Sequence, residues 1–217
     1  MTRSIPTLAL GLFLNGALGA QTTALPVNGP ASPGMEAFDE AMIGLLQKYR
    51  LPGASLAVVD NGRLVLARGY GWADREANVA VQPFQLFRVA SLSKTFTAVA
   101  TLKLVQEGKL RLDDRLMTVL PDLQPGPGQT LDPRYREVTI RQLLHHTFGS
   151  NSARNGDPMF QWRQAQTLFG GAPHSIANMT RYGFGLPLHA DPGTVYAYSN
   201  LGYMLLGRVV EKVSGRS

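Results

Sequence analysis

The chain reads as an α/β protein of the α+β kind, an antiparallel sheet flanked by helices with a mainly helical insertion. Two observations carry that expectation. An amphipathic helical pattern runs straight into two strand-like stretches joined by Asn61-Gly62. Two further helical patterns, near residues 91–107 and 198–213, bracket a stretch richer in Gly and Pro. The helix-then-hairpin opening argues against a βαβ unit and a parallel sheet.

The first twenty residues have the composition of a secretory signal peptide. Arg3 supplies a positive start, Ile5 to Ala20 is uncharged and mostly apolar, and Ala17, Gly19 and Ala20 are small residues ahead of Gln21. That apolar run is shorter than the roughly 20 residues of a membrane span. The chain has no cysteine, so neither a disulfide nor a lipidated N-terminal cysteine is available. A periplasmic or secreted protein without a stable membrane anchor is expected. Residues 21–34, rich in Pro, Gly, Ala and Thr, read as a flexible lead-in, and residues 35–217 as one domain.

Met35 to Tyr49 places Phe38, Met42, Leu45 and Leu46 at helical spacing, entered through Ser32 and Pro33 and stopped by Pro52 and Gly53. Ala54–Val59 and Leu64–Gly69 read as strands, and Asn-Gly between them is a hairpin signal because both residues tolerate positive φ. From Ser91 to Glu107, Phe96, Val99, Leu102, Leu104 and Val105 predict a helix closed by Gly108. Residues 109–195 form the insertion, with helices expected at Asp113–Leu120 and Thr139–His146. Tyr198 to Val213 repeats the pattern through Leu201, Met204, Leu205, Val209 and Val210 and ends at Gly215.

With 217 residues, 44% of them hydrophobic and 17% charged, the chain can bury a core and is not disordered. Its net charge of +6 is scattered rather than clustered, which disfavours nucleic acid as a partner. A small-molecule or peptide substrate fits better. A Gly-x-Ser-x-Gly elbow, a phosphate loop and a dinucleotide fingerprint are absent. His145 and His146 are adjacent, so on a helix they point apart, and no carboxylate at a useful spacing joins them; neither a metal nor another cofactor is expected. Asp113-Asp114 reads as a helix-start cap, and Asn178-Met179-Thr180 matches a glycosylation sequon by pattern only.

Two short strings carry the chemistry. Ser91 and Lys94 lie three residues apart at a helix start, so hydroxyl and amine share one face. Unpaired N–H groups there favour a developing oxyanion, and a desolvated lysine could take the serine's proton. Tyr198, Ser199 and Asn200 open the later helix, and a phenol beside an ammonium can trade protons with a serine. The plainer alternatives are that Ser91 is an N-cap, Lys94 a solvated first-turn side chain, Tyr198 a core aromatic and Asn200 a cap.

Phe87-Arg88-Val89-Ala90-Ser91-Leu92-Ser93-Lys94, Thr139-Ile140-Arg141-Gln142-Leu143-Leu144-His145-His146-Thr147 and Pro192 through Tyr203 together resemble the serine β-lactamase and D,D-peptidase family, in its class C branch with related esterases. The resemblance runs from about Met35 to the end. It implies a β-lactamase/transpeptidase-like fold and a serine hydrolase acting through an acyl-enzyme on a β-lactam, a D-amino-acid peptide or amide, or a carboxylic ester. It makes Ser91 the nucleophile, Lys94 its proton acceptor, Tyr198 the proton shuttle and Asn200 the amide that binds substrate. A non-turnover penicillin-binding sensor, or an inert homologue, is the alternative.

Two departures stand out. The family's third motif, Lys or His followed by Thr or Ser and Gly on a strand, is not found: Lys212-Val213-Ser214-Gly215 is one residue too long. An N-terminal fragment is therefore expected, with C-terminal strands and a helix missing and with one oxyanion donor instead of two. Phe148 stands where members usually carry Ser, which reads as a change in a loop.

Overall fold

A computed structural model describes residues 24–173 and 175–216; the segment 1–20, read as a signal peptide, lies outside them. The chain divides into two compact units, residues 1–87 and 88–217.

In the first unit, β1 (Val27–Asn28), α1 (Glu36–Tyr49), β2 (Gly53–Asp60), β3 (Arg63–Asp74) and β4 (Val79–Ala80) follow in order. The strand β3 pairs antiparallel with β1, β2 and β4. The β2–β3 turn is the one the sequence announces: Asn61 and Gly62 have φ of 46° and 75°, the paired left-handed conformation that matches strand twist. Asp60 faces Arg63 across it, and a bulge follows at Val58/Val59. Part of the Pro- and Gly-rich stretch 21–34 is thus a strand, and Ser32 donates to the Val65 carbonyl at 2.8 Å. Leu46, Leu66, Tyr70 and Val81 are buried here, and Tyr70 donates its hydroxyl proton to Asp39 at 2.6 Å.

The second unit is helical. A 3₁₀ turn, Ala90–Leu92, leads into α2 (Ser93–Gln106); α3 (Leu116–Val119), a 3₁₀ turn at Pro133–Glu137, α4 (Ile140–Leu144) and α5 (Ser152–Asn155) follow. A third 3₁₀ turn, Pro158–Phe160, precedes α6 (Trp162–Leu168), α7 (Ile176–Phe184) and α8 (Asn200–Ser214). Helices α2, α3, α4 and α7 all pack on α8. Leu201, Leu205 and Val209, four residues apart, are buried along it, the spacing that keeps one helical face on the core. Gly108 closes α2 as expected: with φ 69° it lets Lys109 N–H reach Leu104 O and its own N–H reach Val105 O, both at 3.0 Å.

Several elements differ from the sequence expectation. Of the apolar residues on α2, Leu104 is buried, whereas Phe96, Val99 and Leu102 are exposed; they occupy the opposite side of the helix. The helix expected over 113–120 shrinks to α3. Arg115 is extended and bridges Thr139, and the Asp114 carboxylate turns back to accept the Arg111 N–H at 2.8 Å. Asp113 pairs with Arg141 at 2.8 Å, so neither aspartate caps α3. The α4 start is a capping box between Thr139 and Gln142.

Phe148 lies in the loop between α4 and α5, as expected, but its side chain belongs to the core. It is fully buried, its ring lies 6.4 Å from that of Tyr135, and a Cβ on Gly202 would stand 2.9 Å from its Cε1. Only glycine lets α8 approach the ring so closely. Phe148→Ala is expected to cost about 3–5 kcal/mol, measured from urea-unfolding midpoints; a loss below about 1 kcal/mol would show that the ring is not a core anchor.

Candidate active site

Ser91 sits in the 3₁₀ turn at the head of α2, and Lys94 follows one turn on. The residue before the serine, Ala90, is left-handed with φ 45°, a conformation that crowds Cβ against the next carbonyl. The Ser91 hydroxyl caps nothing. The N-cap of α2 is Leu92, with no side-chain cap bond, and Ser91 Oγ instead lies 2.6 Å from Tyr198 Oη. Lys94 Nζ donates to the same Oγ at 3.2 Å and also to Asn200 Oδ1. All four residues proposed from the sequence therefore meet, although 106 positions separate Lys94 from Asn200.

The later pair is delivered by the start of α8. Ser199 is the N-cap, its Oγ accepting from Gly202 N–H at 3.3 Å, and this sets Asn200 on the first helical position and Tyr198 just outside. Asn200 is therefore not the cap. Lys94 is partly buried rather than enclosed, and it has defined neighbours: its Nζ is 4.8 Å from the Tyr198 ring centre and 5.7 Å from that of Tyr203. Hydrogen bonding by Lys94, and next by Ser91, holds the Tyr198 phenol below its usual value. The phenol is thus easier to ionise beside the serine it touches.

Two neighbours were not identified from the sequence. His146, given no role there beyond the string that carries the resemblance and a rejected metal site, grips both sides of Tyr198: its carbonyl accepts the Ala197 N–H at 2.8 Å and its Nδ1 accepts the Ser199 N–H at 3.1 Å. Its ring lies 4.7 Å from Tyr198 and 5.0 Å from Tyr203, and its φ of 58° is left-handed. His145 is exposed. Both histidines lie in the string that carries the resemblance, but their adjacency drew attention to metals instead. The second is Asp157, which accepts from Asn200 Nδ2 at 2.5 Å and from Met159 N–H at 3.0 Å. No local pattern marks it. Among the described residues no group of three His, Cys, Asp or Glu could hold a metal ion.

Burial, and secondly the charge of Lys94, push the His146 imidazole below the ordinary 6.5. A group whose folded value is depressed contributes stability that is present above 6.5 and is lost as pH falls through the folded value. Protonation would also remove the lone pair that holds Ser199. Melting temperature is expected to fall between pH 7.5 and pH 5, about 1–2 units either side of the free imidazole value, and to fall less in His146→Asn. An equal pH slope in both proteins would exclude His146 as the source.

The site opens on a cleft of about 660 Å³ whose walls include Ser91, Lys94, Arg88, Phe160, Asn200 and Tyr203. It is largely apolar, and Arg88 and Lys94 bring two basic side chains beside the Ser91 hydroxyl. The sequence Lys212-Val213-Ser214-Gly215 does not contribute: it is the last turn of α8 and its left-handed cap, and Lys212 pairs with Asp122 at 3.3 Å.

A family profile described as Beta-lactamase matches residues 38–217. Protein flp of Staphylococcus aureus (strain COL) is 33% identical over 172 residues, which are 79% of this chain and 32% of that protein. The octameric penicillin-binding protein homologue from Pyrococcus abyssi is 28% identical at a TM-score of 0.65, over 85% of this chain and 40% of that one. A class C beta-lactamase is 28% identical at a TM-score of 0.64, over 84% and 45%. The chain therefore spans about a third of the length of the flp protein.

Proposed function

Because the chain belongs to the beta-lactamase family and has its fold, helices with an antiparallel sheet, we propose that it is an exported serine hydrolase of the class C type. It would cleave a β-lactam, a D-amino-acid peptide or amide, or a carboxylic ester through an acyl-enzyme on Ser91. The observation that carries this reading is the short contact of Ser91 Oγ with Tyr198 Oη, 2.6 Å, beside Lys94 Nζ at 3.2 Å.

The sequence resemblance makes Lys94 the proton acceptor, yet the shorter contact runs to Tyr198 and Lys94 is already donating to Oγ. In the proposed first step Oγ attacks the acyl carbon while its proton passes to ionised Tyr198, which the Lys94 charge stabilises. The resulting tetrahedral oxyanion collapses, the bond to the leaving group breaks, and Tyr198 returns the proton to that group. Water then attacks the acyl carbon of the ester while Tyr198 takes its proton; the carbon–Oγ bond breaks, Tyr198 returns that proton to Oγ, and the acid leaves with Ser91 restored. Asn200 holds Lys94 through Oδ1 and, as the resemblance implies, would bind the acyl side chain.

The test is to incubate the intact protein with a fluorescent penicillin and, separately, with a fluorophosphonate, following label on Ser91 over time. Label that appears and then disappears with product supports the hydrolase. Persistent penicillin label would favour a non-turnover sensor, and no label with either probe would remove Ser91 as nucleophile.

A further inference from the structure

We infer that Asp157 is a positioning residue for acylation: its carboxylate determines which way the Asn200 amide faces and so holds Lys94 against Ser91. The inference rests on Ser91 being the nucleophile.

An asparagine amide is nearly symmetric in shape but not in chemistry, and two flipped orientations compete. Lys94 offers only donors, so it must meet Oδ1, as it does. A carboxylate offers only acceptors, so it must meet Nδ2, as Asp157 Oδ2 does at 2.5 Å. Both neighbours select the same orientation. Without the carboxylate, Nδ2 loses its partner, and the flipped amide would set its NH₂ against the ammonium. Asp157 is itself immobilised, because Oδ1 accepts the Met159 N–H at 3.0 Å and caps the turn Pro158–Phe160. Donors and acceptors thus alternate without a break from Met159 N–H through Asp157, Asn200 and Lys94 to Ser91. Each Asp157 oxygen already holds one partner, Oδ1 the Met159 N–H and Oδ2 the Asn200 amide, so its geometric hold on the site runs through Asn200. The negative charge at the far end also balances the ammonium, since a charge-assisted chain is stronger than a neutral one.

Two variants separate this role from bracing of the turn. Asp157→Ser keeps an acceptor for Met159 N–H but cannot reach Asn200. Asp157→Asn is the same size but has one acceptor oxygen, so it can serve Met159 or Asn200 and not both. In either variant, Ser91 acylation by the fluorescent penicillin is expected to slow by about 10- to 100-fold. On an Asn200→Ala background the same changes should cost less than about twofold. An equal loss on both backgrounds would assign the effect to the turn or to the lost charge near Tyr198, and would overturn the proposal.

A crystal structure of the better-folded variant supplies the readout that does not depend on activity. Rotation of the Asn200 amide, or departure of Lys94 Nζ from Oδ1, is expected. An unchanged Lys94–Asn200 contact would overturn the proposal whether or not the parent protein is labelled. A rotated amide with an unlabelled parent would count against Ser91 as nucleophile while leaving Asp157 as the residue that orients Asn200.

Discussion

Ser91→Ala is expected to abolish covalent labelling by both probes while leaving the melting temperature where it was. The two halves of that result separate the catalytic role from the ordinary one. A serine that caps a helix contributes about 0.5–2 kcal/mol, lost on replacement by alanine. Here the hydroxyl is exposed and aimed at Tyr198, 2.6 Å away, and α2 begins without any side-chain cap. Removing the hydroxyl therefore deletes the proposed nucleophile and almost nothing else. Adduct formation with the alanine variant, detected by intact-protein mass spectrometry, would place the nucleophile elsewhere. A drop in stability of cap size would instead give Ser91 a structural role.

Lys94→Met should slow acylation by about 10²- to 10⁴-fold at neutral pH, with a diagnostic pH profile. Methionine fills similar space, so the Ser91–Tyr198 contact is expected to survive. What disappears is the ammonium, first among the influences that hold the Tyr198 phenol below its usual value. Its loss raises the phenol toward the ordinary value near 10. If ionised Tyr198 accepts the serine proton, the acidic limb of the acylation rate must move to higher pH, and raising the pH must recover part of the lost rate. Stopped-flow acylation from pH 6 to pH 10, about four units around that transition, measures this directly. A rate that is lowered equally at every pH would return the acceptor role to Lys94 itself.

Much of this was legible because the deciding forces are local. Asn61 and Gly62 specify a turn through their own backbone freedom, and Gly108 ends α2 through its own φ. The four site residues were readable because two short strings contain them. What stayed hidden depends on distant partners. Asp157 acquires meaning only when Asn200, 43 positions away, arrives beside it. His146 acts on a segment 53 residues downstream. Phe148 is a loop residue whose burial shows only when Tyr135 and Gly202 close around its ring. Helix α3 is shorter than its apolar spacing suggests because Arg115 bridges Thr139 and Asp114 turns back on Arg111.

Ala90 and His146 share a backbone shape that side-chain-bearing residues seldom adopt, with φ of 45° and 58°, and they immediately precede the serine and grip the segment of the phenol. Each such residue costs on the order of 1–2 kcal/mol, so the polypeptide tolerates tension where aim matters most. A programme of thermal hardening would find these positions attractive, since glycine at either would relax the chain. The same relaxation would let hydroxyl and phenol wander, and ruggedness would be gained at the expense of turnover.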